Sequence, residues 1–181
     1  MSVLDILTEE HVLLRRFIGR LQWEEPEGSE TCARMRKDLL AFFCSLQRHE
    51  DFEGEIFRGL DGAAVDPGGL AEELIAEHRK LLARRVEIFE ALKNAREDSS
   101  AQLKPHVDAL ADHLRADFAW EEKHLWPHYR PSLNPGVERS LEREALPRLD
   151  RLEADMALCG ILLSDSSGRG PDLRPRRPAG L

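Results

Sequence analysis

Apolar residues recur along most of this chain at steps of three and four, the spacing at which side chains share one face of an α-helix. The clearest run is Met35, Leu39, Phe42, Leu46, His49, Glu53 and Ile56. A histidine and a glutamate there occupy positions at which a core-facing seam calls for leucine. An earlier helix carries Val3, Ile6, Leu7, Leu14, Ile18 and Leu21, with His11 inside its stripe. Ser2 followed by Asp5 resembles a capping box at its start, and Gly19 within it costs about 1 kcal/mol relative to alanine. A third helix is marked by Leu74, His78, Leu81, Ile88 and Leu92, and a fourth by Leu110, His113 or Leu114, Asp117, Glu121 and Leu125. Pro105 suits the first turn of the fourth helix, and Trp126-Pro127 closes it. Gly- and Pro-bearing stretches around residues 24–29 and 59–69 supply the turns.

Four long amphipathic helices with short links predict an all-α fold, an up-down-up-down antiparallel four-helix bundle over residues 1–130. Residues 131–163 read as an accessory helical segment interrupted near Pro147. Its Leu141, Leu149, Leu152 and Met156 pack on the bundle or on a second subunit, which would make a homodimer through the C-terminal helix. Residues 164–181, rich in Gly, Pro, Ser and Arg, read as a disordered tail.

Charge and composition narrow the function. A net charge of −8 offers no basic face to neutralise phosphates, so neither nucleic acid nor an anionic membrane is expected as a partner. Cys32, Cys44 and Cys159 form no C-x-x-C pair, as suits a reducing compartment. Cys44 lies off the face of His49 and is expected to be a buried small apolar residue. The N-terminus lacks a secretory pattern, and the apolar stretch at 157–163 is too short to span a bilayer, so a cytoplasmic location is expected. No phosphate-binding loop or nucleophile triad is visible.

What remains is a repeated acid-and-imidazole pattern. His11 is followed after 38 residues by His49-x-x-x-Glu53, and His78 after 39 by Asp117-x-x-x-Glu121. Each i, i+4 pair presents two donors from one helix face. An isolated buried carboxylate loses several kcal/mol of solvation or takes up a proton. A cation would satisfy the set, with carboxylates bridging two metals and imidazoles in terminal positions. The alternative is a group of polar seam residues paired with one another. His106 is expected to be exposed, and His124 and His128 to be structural near a helix end. Phe118 and Trp120 flank the stripe and could keep the cavity dry.

The stretches Glu10-His11, His49-Glu50-Asp51-Phe52-Glu53, Glu77-His78 and Asp117-Phe118-Ala119-Trp120-Glu121-Glu122, continuing through Leu125-Trp126-Pro127, resemble the hemerythrin-like HHE cation-binding proteins. The resemblance covers residues 2–129. It implies a bundle holding two non-haem iron ions that bind dioxygen or a related small molecule, with His11, His49 and His78 as terminal ligands and Glu53 and Glu121 bridging. Two positions depart from the family pattern. Asp117 stands where a histidine is expected ten residues before the proline, and Leu82 where hemerythrins proper place a second third-helix histidine. His113 shares a face with Asp117 and Glu121 and is the candidate replacement donor, the other readings being a hydrogen-bonding role behind the ligands or a solvent-facing position. Manganese suits the same donors as iron. A larger carboxylate share favours the ferric state, pointing to redox handling or sensing of peroxide, nitric oxide or dioxygen in a stress response rather than reversible oxygen carriage. Other readings are an iron-handling protein without redox turnover and an interaction module with a decayed site.

Overall fold

A computed structural model describes residues 1–23, 29–61, 69–94 and 100–161. Among these every regular element is helical: α1 Val3–Trp23, α2 Ser29–Asp61, α3 Leu70–Asn94, α4 Ser100–Trp120, a π-helical turn Glu121–Leu125, α5 Trp126–Tyr129, a 3-10 turn Arg130–Ser132, and α6 Pro135–Leu158. The links at 24–28, 62–68 and 95–99 and the tail expected from residue 164 onward lie outside the described residues.

The five long helices pack together. α1 touches α2, α4 and α6, while α3 lies against α4 and α2. The capping box at Ser2 forms as the sequence suggests. The Asp5 amide donates to the Ser2 hydroxyl at 3.2 Å, and the Ser2 amide to the Asp5 carboxylate at 2.8 Å. All seven stripe positions of α2, from Met35 to Ile56, are buried, His49 and Glu53 included.

Three prolines behave differently from the sequence expectation. Pro105 is inside α4 rather than in its first turn, because the helix already begins at Ser100. Trp126-Pro127 does not end the fourth helix. The chain stays helical through a π turn in which the Trp126 amide donates to the Glu121 carbonyl, five residues back. A proline ring crowds the carbonyl four residues earlier, and widening the preceding turn relieves that crowding. Pro147 does not interrupt the accessory segment either, since α6 runs unbroken through it. Packing outweighs the lost backbone hydrogen bond: Ala145, Leu149, Leu152 and Met156 are all buried within the chain. Asn134 caps the start of α6 through the amides of Gly136 and Val137, each at 3.0 Å. At its end Gly160 adopts φ 71°, and the amides of Ile161 and Gly160 bond back to Met156 and Ala157 in a Schellman motif. The expectation that Cys44 is buried is also corrected, because it is exposed.

Candidate metal centre

Six acid and imidazole side chains converge from four helices. His11 comes from α1, His49 and Glu53 from α2, His78 from α3, Asp117 from α4, and Glu121 from the start of the π turn. They form two groups, His11–His49–Glu53–Glu121 and His78–Asp117–Glu121. Within each, one donor atom per residue lies within 4.8 Å of the others.

Both glutamates reach across the two groups. Glu53 Oε1 is 3.6 Å from His11 Nε2 and 3.4 Å from His49 Nε2, while its Oε2 is 3.3 Å from His78 Nε2. Glu121 Oε2 is 3.1 Å from His11 Nε2 and its Oε1 is 3.9 Å from His78 Nε2. Each carboxylate thus offers one oxygen to each side.

Two of the imidazoles are aimed by partners behind them. His11 Nδ1 is 2.9 Å from Glu122 Oε1, which Arg15 also contacts at 2.8 Å. His49 Nδ1 is 2.7 Å from Glu10 Oε2. An ionised carboxylate only accepts, which places the hydrogen on Nδ1 and turns Nε2 toward the centre. Phe118 stacks on the His11 ring at 3.9 Å between centroids, and Trp126 at 4.7 Å. Trp120 lies beside His124 instead of the centre.

The electrostatics describe a strained set of charges. Burial opposes ionisation of His11, but Glu121, Glu122 and Glu53 outweigh it and push the imidazole up to about 10. Burial also opposes charge on His78, and Glu121 with Glu53 again raises it to about 10. Burial disfavours ionised Glu53 too, yet His49, His11 and His78 hold it well below the usual carboxylate range. Asp117 goes the other way. Burial first, and then the charge of Glu121, push it up to about 8.

These donors could hold a metal ion. Both oxygens of Glu53, Asp117 and Glu121 are buried without a hydrogen-bond partner. The Nε2 atoms of His11 and His49 are only 2.9 Å apart. One shared proton would reconcile the two nitrogens, and protonated His11 and His78 would face Glu53 and Glu121, but Asp117 would keep no partner. Cis donors on one metal, at bonds of about 2.1 Å, are themselves about 3 Å apart. Mutual pairing of seam residues therefore accounts for only part of the cluster.

His113 is not brought into either group. Its Nε2 is 3.0 Å from Glu77 Oε2, and Leu114 takes the inward position on α4. Leu82 is exposed and brings no donor to either group. His106 is half-buried instead of exposed, and His124 sits at the surface with Nδ1 3.1 Å from the Trp120 carbonyl.

The sequence reading missed Glu10, Glu122 and Arg15, which sit behind the imidazoles, and a buried pair between Glu50 and Arg85. Glu10 and Glu122 are chain neighbours of site residues, and no periodic signal marks them. Arg85 had one: the steps of four and three through Leu74, His78, Leu81, Ile88 and Leu92 place position 85 in the same stripe. No described helix is long and apolar enough to cross a membrane. Comparison with known protein families, with curated proteins and with solved structures found no match to this chain.

Proposed function

We propose that this chain is a cytoplasmic hemerythrin-like protein whose helices α1–α4 form an up-down-up-down bundle around two non-haem iron ions. The observation that carries this reading is the pair of spanning carboxylates, Glu53 and Glu121, each with one oxygen toward each imidazole group. His11 and His49 would hold one ion and His78 with Asp117 the other, with both glutamates shared; manganese fits the same donors. When bound, the metal pair supplies a Lewis-acidic, redox-active centre for dioxygen, peroxide or nitric oxide, in sensing or stress response.

The chain's own residues set which side a small molecule reaches. His11 is enclosed by Phe118 and Trp126 and fully buried, whereas the His78 side chain is 16% exposed. Glu10 and Glu122 keep the two imidazoles of the closed side in one tautomer. Asp117 supplies an anionic donor where the resembling family has imidazole, which favours the higher oxidation state.

Metal analysis of protein purified from iron-supplemented cells tests the proposal. About two irons per chain are expected, with a near-ultraviolet charge-transfer band that changes on adding peroxide or nitric oxide. A folded protein that takes up no iron or manganese, and whose melting temperature ignores both, would sink it.

A further inference from the structure

A second feature is the outer face of α3. Four of the large apolar side chains exposed among the described residues fall on this helix, Ile75, Leu82, Val86 and Phe89, each between 39% and 52% exposed. With Arg79 and Lys93, also exposed, they step by four and three along one stripe. That is the 3.5-residue repeat of a coiled-coil seam. The interior stripe of α3 is a separate one, through Leu74, Leu81, Ile88 and Leu92, so the core does not account for the outer row. Single exposed apolar residues are ordinary, but a row in register over about 27 Å marks a contact surface. Phe89 also meets Phe43 of α2 at 5.2 Å, which ties the row to the neighbouring helix.

We propose that this face of α3 pairs antiparallel with the same face of a second copy of the chain, around a two-fold axis. The order of residues in the stripe selects that occupant. Set antiparallel, Leu82 of each copy lies opposite Val86 of the other. Arg79 lies opposite Phe89 and one residue from Glu90, and Ile75 meets the aliphatic stem of Lys93. Arg79 has no ion pair among the described residues. Between an aromatic ring and a carboxylate its guanidinium finds two favourable partners. The helix is acidic in its first turn, at Glu72 and Glu73, and basic in its last, at Lys93. Antiparallel pairing brings these ends within a turn of each other. Parallel pairing would set Arg79 on Arg79, Lys93 on Lys93 and the acidic ends together. The helix thus carries its own complement.

This pairing differs from one through the C-terminal helix. α6 packs on α1 and α2, and its Ala145, Leu149, Leu152 and Met156 are covered within the chain. Ile75, Arg79 and Leu82 also line a cleft between α2 and α3 beside His78, so pairing narrows that cleft. None of the six seam residues would hold metal, and the pairing therefore stands apart from the metal centre.

The test is sedimentation velocity of the purified chain from about 1 to 200 µM, where a reversible monomer–dimer equilibrium is expected, with dimer predominant at the upper end. Leu82→Glu and Val86→Glu each set a carboxylate against an apolar partner. Each should weaken dimerisation at least about tenfold, with helix content by circular dichroism unchanged, because both positions are exposed within one chain. Arg79→Glu and Glu90→Arg should each weaken it too, whereas the two together should restore it. Only the antiparallel register brings those two positions together from different copies. A monomer at every concentration would overturn the proposal. So would a dimer that tolerates both glutamate variants, since it forms elsewhere, or a double variant that fails to restore pairing.

Discussion

On the α1–α2 side of the centre, each imidazole is fixed at both ends. His11 lies against two aromatic rings with Glu122 behind it, and His49 has Glu10 behind it. On the α3–α4 side, no hydrogen bond among the described residues supports the His78 ring from behind, Asp117 has neither oxygen satisfied, and a cleft between α2 and α3 reaches the His78 edge. The same kinds of side chain therefore meet two environments, one rigid and dry and the other looser and accessible. Second partners stiffen ligand geometry and raise affinity, whereas an open flank admits an exogenous molecule. For the proposed metal pair, retention is expected to rest on the first side and exchange with solution on the second.

The largest expected effect comes from removing what the sides share. Glu53→Ala or Glu121→Ala should drop metal content from about two ions per chain to near none by elemental analysis. Full retention of one ion would show that the carboxylates do not bridge. Next, His11→Ala should cost about 2–4 kcal/mol in denaturant unfolding, because it empties a fully buried space between rings. His78→Ala, at a partly exposed position, should cost clearly less. Equal losses would erase the contrast between the sides.

Replacing the partners probes the rigid side directly. Glu122→Gln should weaken metal retention about 10–100-fold in chelator competition. Acidity then gives a graded test. In metal-free protein His11 and His78 are raised to about 10 and Asp117 to about 8. The folded chain therefore keeps protons that the unfolded chain loses, on Asp117 from pH 3.8 to about 8 and on the histidines from 6.5 to about 10. Stability of the metal-free form should fall as pH rises through these windows. Metal should displace those protons, so uptake near neutral pH should acidify an unbuffered solution and strengthen as pH rises. The smallest effect is a control. Gly19 has open space around a would-be Cβ, so Gly19→Ala should stabilise the fold by about 0.5–1 kcal/mol without altering metal content.

Periodicity made α2 and its inward His49 and Glu53 legible, because a buried helix face repeats in sequence as it does in space. It also separated interior from surface on α3, where position 85 stands in step with the stripe and Arg85 is buried. The choice between His113 and Leu114 could not be made from spacing, since adjacent residues differ by one small rotation and only packing against Glu77 decides it. The prolines misled for the same reason. A local rule counts the lost backbone bond at Pro147 but knows nothing of Ala145 and Leu149, which are buried on either side of that proline.

The wide turn at Glu121 sets the phase of the chain that follows it. Closing a loop of backbone five residues back admits almost one residue more than usual, so successive four-residue steps creep less around the cylinder. Asp117, Glu121, Leu125 and Tyr129 consequently all remain buried, where an unmodified spiral would have swung the last of them toward solvent. Shortening this turn by a single residue after Glu121 would re-phase everything downstream, pulling Trp126 away from His11 and Tyr129 away from Phe57 while leaving His11, His49, Glu53, His78 and Asp117 in place.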